Sequence, residues 1–113
     1  MTASCLFCRI VSGEIPATIV RQDDHCVAFR DINPQAPVHV LVIPRVHVES
    51  LDTLTDDAVA ARVLAMAGEV ARQEGIASTG YRTVFNTNAA AGQTVFHLHA
   101  HVLGGRALAW PPG

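Results

Sequence analysis

The chain has 113 residues, half of them apolar, with 16% charged residues and a formal net charge of −2. This length predicts a single domain over residues 1–113, and the apolar fraction predicts a compact core rather than a disordered chain. Since there is no basic excess, polymeric DNA or RNA is not expected as a partner. No apolar run approaches the roughly 20 residues that cross a bilayer, so we expect no membrane association.

The N-terminal residues and the cysteines indicate the cellular compartment. Residues 1–5 lack the basic and apolar regions of a signal peptide, which predicts a cytoplasmic protein. The chain has three cysteines, and in that compartment we expect them to be reduced.

Cys5 and Cys8 open the chain as a Cys-x-x-Cys pair. Spacing of this kind indicates half of a zinc site, a redox pair or two packing thiols. A redox pair usually belongs to a βαβ pattern, which the sequence lacks, so a zinc site is favoured. Distant histidines must complete it, and we select His47 and His97, with His25 as the substitute. Four protein ligands would make the ion structural, because no coordination position stays open.

Apolar spacing and turn residues divide the first part of the chain into a short helix and three strands. The helix is predicted to end at Gly13. The β-prone runs 19–22 and 25–30 flank the turn residues 23–24 and predict an antiparallel hairpin. The run 38–44 is nearly continuous in apolar residues, which is typical of a central strand.

The second part predicts one long helix and a fourth strand. Thr55 is the predicted N-cap and Gly75 the predicted C-cap of the helix. Helical spacing predicts an apolar face made of Val59, Val63, Met66, Ala67 and Val70. Residues 81–86 predict the strand. The ending, 104–113, is unsuited to a helix or a central strand, and its apolar Trp110 needs a surface such as another subunit.

Apolar and imidazole side chains alternate along residues 95–103. This alternation predicts a β-strand with His97, His99 and His101 in a row on one face, roughly 6.6 Å apart, and the apolar residues in the core. Imidazoles gain nothing for stability on a bare solvent face, so the row is interpreted as the active site. A polar outer face that happens to be rich in histidine is the alternative.

Two chemistries suit this row. A His-x-His pair can supply two ligands of a zinc site, but three imidazoles at this spacing cannot all reach one ion without bending the strand. A neutral imidazole held by a hydrogen bond at Nδ1 presents a nucleophilic Nε2 to phosphorus or to a carbonyl carbon. His99 lies in the middle and is best placed to attack.

Three neighbouring features could serve such a nucleophile. The glycine-containing loop 87–94 can offer backbone N–H groups to an anion, with Gln93 and Thr94 as side-chain donors; a plain turn is the alternative. Asp31, at a strand end, can accept hydrogen bonds from two ribose hydroxyls or cap a turn. His39 can orient another imidazole or be a satisfied core histidine.

The run His97-Leu98-His99-Ala100-His101-Val102-Leu103 resembles the His-φ-His-φ-His-φ-φ signature of the histidine triad (HIT) superfamily, where φ is apolar. Further matches, from about Leu6 to the last residue, resemble its Hint branch, the purine nucleoside phosphoramidases. These matches comprise residues 13–17, 31–37, 39–44, 92–94, 103–106 and 110–113.

The resemblance implies an α+β, HIT-like fold, in which an antiparallel sheet of about five strands carries one long helix and a short N-terminal helix. It implies a homodimer that binds purine mononucleotides. The implied reaction is hydrolysis of the P–N bond of purine nucleoside 5′-phosphoramidates, such as adenosine phosphoramidate and aminoacyl or lysyl adenylates. A nucleotidyl-histidine intermediate would release AMP, and no catalytic metal would be required.

Two other functions stay open. One is the hydrolysis of dinucleoside polyphosphates, as in the related Fhit branch, although the Trp-Pro-Pro-Gly ending argues against it. The other is a nucleotide-binding or scaffolding module with little turnover. Turnover on an adenosine phosphoramidate and on diadenosine polyphosphates would separate the three functions.

Matching positions imply roles for the site residues. His99 is the implied nucleophile, His101 the contact to the α-phosphate and His39 a support for the nucleophile. Thr94 stands where the Hint pattern usually has serine, and its hydroxyl is a candidate donor to the leaving amine. The nucleotide-binding set, with Gln93 added from the loop argument, is Phe7, Ile10, Asp31, Ile32, Asn86, Gly92, Gln93, Thr94, His99 and His101.

The resemblance also bears on zinc and on the dimer. Family members with a structural zinc match this chain at Cys5, Cys8, His47 and His97, and other Hint proteins lack that site. Trp110 falls on a tail that meets the other subunit in the family.

Overall fold

The computed structural model describes residues 4–113, which form a five-stranded antiparallel sheet with one long helix and a short N-terminal helix. The predicted α+β fold class is thereby confirmed. In chain order the elements are α1 (Leu6–Val11), β1 (Ile19–Gln22), β2 (Cys26–Arg30), β3 (Val38–Pro44), α2 (Asp57–Gln73), β4 (Tyr81–Val84) and β5 (Ala100–Gly104). Two short 3₁₀ turns lie at Leu51–Thr53 and Ala89–Ala91.

The strands follow the order β1-β2-β3-β5-β4, and each neighbouring pair is antiparallel. β3 pairs with β2 on one side and with β5 on the other. The prediction that the run 38–44 forms a central strand is therefore confirmed. A strand in this position needs apolar side chains on both faces, because layers of protein cover both.

Alternation along the strands gives the sheet two differently packed faces. The face under α2 is a core cluster that includes Val40, Val42, Val63, Met66, Val70, Ala100 and Val102. The face toward α1 is a second cluster that includes Phe7, Ile10, Val27, Phe29, Leu41 and Ile43. His101 lies opposite Leu41, and His39 lies two residues before Leu41, so both imidazoles belong to the α1 face.

The strand predicted over residues 95–103 is shorter than expected, because β5 begins only at Ala100. The register between β3 and β5 would set Pro44 opposite Leu98, and proline has no N–H to continue the ladder. The Leu98 N–H instead donates to the carbonyl of Val48, at 2.6 Å. The predicted faces still hold: Leu98 is buried like the apolar residues of β5.

The ends of several elements also differ from the predictions. α2 begins after Asp56, whose carboxylate caps it by accepting from the Ala58 N–H at 2.9 Å, so Thr55 is not the N-cap. At its other end the cap residue is Glu74, and Gly75 follows with φ +75°. β2 starts one residue after His25, and β4 ends at Val84 rather than at residue 86.

Within residues 4–113, α2 is the longest helix, with 17 residues. No helix in this part of the chain has both the length and the apolar character needed to span a membrane.

Candidate active site and metal cluster

A cavity of about 680 Å³ opens on the α1 face of the sheet. Its walls come from α1, from residues 15–18, from the end of β2 and from the segment that leads into β5. Seven residues of the predicted nucleotide-binding set line it: Phe7, Ile10, Asp31, Ile32, Thr94, His99 and His101. The other three, Asn86, Gly92 and Gln93, do not line it.

His99 lines the cavity, and one of its two ring nitrogens is hydrogen-bonded to the backbone. Its Nδ1 lies 2.7 Å from the carbonyl oxygen of His97. A carbonyl only accepts, so Nδ1 carries the proton and Nε2 keeps its lone pair. Burial lowers the pKa of His99 below its ordinary value, which favours the neutral ring. The Phe7 ring packs against the imidazole in a T-shaped arrangement, with ring centroids 5.1 Å apart.

A chain of hydrogen bonds sets the proton positions on the next two imidazoles. The backbone N–H of Gln35 donates to Nδ1 of His39 at 3.0 Å, so the proton of His39 lies on Nε2. This Nε2–H donates to Nδ1 of His101 at 2.9 Å. The remaining proton of His101 therefore lies on Nε2, and His101 lines the cavity. The result is a neutral N–H donor beside the lone pair of His99.

The pKa shifts in this chain have a common cause. Burial lowers the pKa of His39 and, with the adjacent His99 and His39 rings, brings the pKa of His101 to about 4. The carboxylate of Asp31 acts in the opposite direction on both groups, but more weakly than burial. Both imidazoles are consequently neutral near pH 7.

Asp31 uses its two carboxylate oxygens differently. Oδ1 accepts from the Asn33 N–H at 2.8 Å, which is the turn-capping role that the sequence allowed. Oδ2 lies 3.4 Å from Nε2 of His39, at the edge of the cavity. One oxygen of Asp31 thus caps the turn while the other lies near His39, and the ribose contact stays a prediction.

Asp31, His39 and His101 also lie close enough together to be considered as a metal site. The Gln35 N–H argues against this use, because it occupies the lone pair of Nδ1 on His39 and leaves Nε2 protonated. A metal ligand needs a lone pair at the coordinating nitrogen. The hydrogen-bond pattern therefore suits proton placement rather than coordination.

The four predicted zinc ligands, Cys5, Cys8, His47 and His97, come together in a second cluster. Sγ of Cys8 lies 3.3 Å from Nδ1 of His47 and 3.4 Å from Nδ1 of His97. Sγ of Cys5 lies 3.5 Å from Nδ1 of His97, and the two Nδ1 atoms are 3.3 Å apart. His25, the alternative ligand, does not belong to the cluster.

These distances fit a tetrahedral metal centre. Bond lengths of about 2.3 Å to sulfur and 2.05 Å to nitrogen give a tetrahedron with S···N edges of about 3.5 Å and an N···N edge of about 3.3 Å. The fully buried His97 ring donates its Nε2–H to the carbonyl of Pro44 at 2.8 Å, which leaves the Nδ1 lone pair pointing into the cluster. Together, Cys5, Cys8, His47 and His97 can hold a four-coordinate metal ion.

Gln93 is buried behind the cavity rather than in it. Its Nε2 group donates to the carbonyls of Glu49, at 2.8 Å, and Val95, at 3.2 Å. Its Oε1 accepts from the N–H of Asn88 at 2.8 Å. With both amide hydrogens engaged, Gln93 stabilises the loop, and the predicted donation to an anion has no support in this geometry.

Sequence reasoning missed three backbone groups that set proton positions: the N–H of Gln35 and the carbonyls of Pro44 and His97. Backbone groups leave no trace in residue identity. The available signal was indirect, since Pro34 and Pro37 stiffen the loop that aims the Gln35 N–H.

The C-terminal tail is tied to β4. Arg82 donates to the carbonyls of Leu108 and Ala109, at 3.4 and 3.0 Å. Trp110 lies beyond this anchor with its ring exposed. The prediction that it packs on another subunit is untested by a single chain.

Comparison with known proteins agrees with the sequence motif. A profile of the HIT domain family matches residues 12–108. The purine nucleoside phosphoramidase of Escherichia coli K12 is 46% identical over 110 residues, covering 96% of this chain and 92% of that protein. An uncharacterized HIT-like protein of Synechococcus elongatus is 52% identical over the full length of both chains.

Solved structures show the same fold. A HIT family hydrolase from Legionella pneumophila superposes with a TM-score of 0.93 at 50% identity, over 96% of this chain and 99% of that one. A Zn-bound histidine triad family protein from Mycobacterium smegmatis superposes with a TM-score of 0.82 at 35% identity, over 94% and 78% of the two chains. The chain therefore belongs to the HIT domain family and is a HIT family hydrolase.

Proposed function

We propose that this chain hydrolyses the P–N bond of purine nucleoside 5′-phosphoramidates, such as adenosine phosphoramidate and lysyl-AMP joined through the lysine nitrogen, and releases AMP. One observation carries the proposal: the His97 carbonyl accepts a hydrogen bond from the Nδ1–H of His99, so this cavity-lining ring keeps its lone pair on Nε2. The E. coli relative at 46% identity, a purine nucleoside phosphoramidase by name, supports the substrate class.

The cavity suits a nucleoside monophosphate in size and in lining. Ligand sites of this kind are mostly apolar, with a few placed polar groups, and range from about 300 to 1,000 Å³. Phe7 and Ile10 provide an apolar wall for a purine base. Asp31 lines the cavity, and its Oδ2, which accepts no backbone hydrogen bond from residues 4–113, can accept hydrogen bonds from ribose hydroxyls. His99 and His101 then lie at the phosphate end.

The first chemical step is displacement at the α-phosphorus. Nε2 of His99 forms the new N–P bond as the P–N bond to the amine breaks. The departing amine takes a proton from the Thr94 hydroxyl or from a neighbouring imidazole. The Nε2–H of His101 donates to a phosphoryl oxygen, where negative charge develops in the transition state.

The second step returns the enzyme to its starting state. Water attacks the phosphorus of the nucleotidyl-histidine and gives a proton back to the group that protonated the amine, while the N–P bond breaks and AMP leaves. Nε2 of His99 recovers its lone pair, while its Nδ1–H stays on the His97 carbonyl throughout. This carbonyl also stabilises the positive charge that the imidazole acquires while it is bonded to phosphorus.

We propose that the second cluster binds Zn²⁺, with Cys5 and Cys8 as thiolates and His47 and His97 bound through Nδ1. The fit of the S···N and N···N distances and the Zn-bound relative from M. smegmatis support this assignment. When bound, the ion supplies a structural cross-link, because four protein ligands leave no position for substrate. Reduced thiols are required, which is why we also propose a cytoplasmic location.

A homodimer completes the proposal. Trp110 is exposed beyond the anchored part of the tail, and a large aromatic side chain in this position gains from burial against a partner. Sedimentation of the wild-type chain and of Trp110→Ala tests this assembly. We expect a dimer that the substitution weakens, and a monomeric wild-type chain would contradict it.

The test of the reaction compares wild type with His99→Ala and with His25→Ala, a matched control whose exposed histidine lies outside both clusters. Loss of the nucleophile should reduce AMP release from adenosine phosphoramidate by about 10³-fold or more. AMP binding should persist, and His25→Ala should act like wild type. Near-normal turnover by His99→Ala would exclude the mechanism, and a preference for diadenosine polyphosphates would exclude the substrate class.

A further inference from the structure

His97 belongs to both clusters at once. Its Nδ1 lies among the metal-ligand atoms, and its Nε2–H is bound to the carbonyl of Pro44. Its own backbone carbonyl accepts the Nδ1–H of His99 at 2.7 Å. A single residue therefore connects the metal-ligand atoms to the hydrogen bond that selects the tautomer of His99.

The helix α1 makes a second connection. Cys5 caps this helix, its Sγ accepting from the Cys8 N–H at 3.4 Å, and Cys8 lies within it. Phe7 and Ile10 of the same helix line the cavity. The Phe7 ring packs edge-on against His99, with centroids 5.1 Å apart. The cysteine ligands and the apolar wall of the cavity are thus parts of one short segment.

A helix of this length cannot persist by its own hydrogen bonds. α1 has six residues, whereas isolated helices shorter than about 12 residues are marginal in water. Its position depends on packing and on whatever joins Cys5 and Cys8 to the rest of the domain. Within residues 4–113, the other two atoms of the ligand set come from the segment after β3 and from the segment before β5.

These two segments are themselves joined beside the cluster. The Leu98 N–H donates to the carbonyl of Val48, at 2.6 Å. His47 and His97 are the residues that immediately precede this pair. A metal ion in the cluster would therefore connect three pieces of chain: α1, the segment around residue 47 and the segment that carries the nucleophile.

From these contacts we infer that metal binding by Cys5, Cys8, His47 and His97 maintains the nucleotide cavity, by fixing α1 against the sheet and the backbone of His97 against His99. His97 acts here as a positioning residue for the nucleophile. The inference rests on the proposed function for the identity of the ligand, AMP, and it assigns to metal occupancy a control over nucleotide affinity.

The first experiment measures backbone hydrogen exchange of the whole chain with Zn²⁺ bound, after chelation, and after Zn²⁺ is restored. The amides of Arg9 and Ser12, which donate to the carbonyls of Cys5 and Cys8 within and just after α1, should exchange about tenfold faster without metal. The amides of Val40 and Val42 in β3 should change by less than about twofold. Restored Zn²⁺ should return all rates to their original values.

Two cysteine variants provide a matched comparison. Cys8→Ala removes one ligand, and since alanine is the best helix former, faster exchange in α1 would reflect the lost ligand rather than helix propensity. Cys26→Ala removes a buried cysteine of the opposite core cluster and should leave the exchange of α1 unchanged. Chelated wild type gives the same information should Cys8→Ala fail to fold.

The second experiment measures the cavity itself. AMP affinity, by calorimetry, should fall at least about fivefold in chelated wild type and in Cys8→Ala, but not in Cys26→Ala. Nitrogen NMR of His99 should show the Nδ1–H tautomer alone with Zn²⁺ bound, and a mixture of tautomers without it. Unchanged exchange in α1, unchanged AMP affinity or a chain that binds no Zn²⁺ would each overturn the inference.

The two proposals fail in different ways. A wild-type chain that holds Zn²⁺ but does not bind AMP would contradict the proposed function, while the exchange of α1 still reports on the metal. A chain that releases AMP normally after chelation, with the same affinity and the same tautomer, would contradict only the inference drawn from His97.

Discussion

Two groups of imidazoles lie side by side on the same face of the sheet, yet their hydrogen bonds prepare them for opposite tasks. Beside the cavity, hydrogen bonds run from the Gln35 N–H through His39 to His101, which lines the cavity and keeps an N–H to donate. In the Cys/His cluster, the Nδ1 atoms of His47 and His97 lie 3.3 Å apart, and the Sγ atoms of Cys5 and Cys8 lie next to them. The first group presents an N–H donor to the cavity, whereas the second brings the lone pairs of two Nδ1 atoms together with two sulfur atoms.

The difference comes from which backbone group meets which ring nitrogen. The Pro44 carbonyl accepts a hydrogen bond from the Nε2–H of His97, which leaves the Nδ1 lone pair able to bind a metal. Two residues later, the His97 carbonyl accepts a hydrogen bond from the Nδ1–H of His99 and leaves the Nε2 lone pair for the proposed attack on phosphorus. His97 and His99, only two residues apart, thus acquire different chemistry because their tautomers differ.

The largest effect that separates the two groups is expected for His97→Ala. The substitution removes a fully buried ring, its hydrogen bond to the Pro44 carbonyl and a proposed metal ligand. In chelator, the free energy of unfolding should fall by about 3 kcal/mol, because a cavity and an unpaired carbonyl are left. His47→Ala in chelator should stay within about 1 kcal/mol of wild type. Urea unfolding measures both, and equal losses would refute the structural role assigned to His97.

His39→Ala should act mainly on turnover. Without the Nε2–H of His39, nothing compels the proton of His101 onto its Nε2. We expect kcat for phosphoramidate hydrolysis to fall about 10- to 100-fold, with KM changed little. Steady-state kinetics of wild type and His39→Ala measures both constants. An unchanged kcat would mean that the orientation of His101 does not depend on His39.

The cavity group should also make stability depend on pH. The pKa of His101 is about 4 in the folded chain, against about 6.5 in the unfolded chain, and that of His39 is lowered in the same direction. The folded state thus binds fewer protons, so stability should be full above about pH 6.5 and fall as the pH drops toward 4. Urea unfolding at several pH values tests this in wild type and in His101→Asn, where we expect a shallower fall.

The smallest effect concerns Thr94, which lines the cavity with His99. Thr94→Val keeps the shape but removes the hydroxyl, and kcat should fall about tenfold if this group protonates the amine. Thr94→Ser keeps the hydroxyl and should stay within about threefold of wild type. Identical kinetics for the valine and serine variants would leave proton transfer to an imidazole.

Most of the fold could be predicted from local patterns. The central position of β3 follows from its continuous apolar run, and the burial of Leu98 and Val102 follows from alternation. The start of β5 could not be predicted, because it depends on Pro44 lying opposite Leu98 in a register that pairing alone establishes. The N-cap of α2 was misplaced by one residue, since adjacent Thr55 and Asp56 are both good caps.

The candidate site was predictable where side chains carry the chemistry and not where the backbone does. His99, His101 and Asp31 were selected by residue type and position, and they meet in one cavity. The ligand pairing could not be derived from spacing, because His47 and His97 lie 39 and 89 residues from Cys8. Gln93 was selected for its amide, whose hydrogens turn out to be bound to backbone carbonyls.

The most direct test of the central claim is mass spectrometry of the wild-type chain quenched during turnover of adenosine phosphoramidate. Cleavage after Arg82 and Arg106 isolates one peptide that holds all three histidines of the row. We predict an AMP adduct on this peptide, located by fragmentation on His99 and absent from His99→Ala. An adduct on His97 or His101, or AMP release without any adduct in a sufficiently fast quench, would contradict the account.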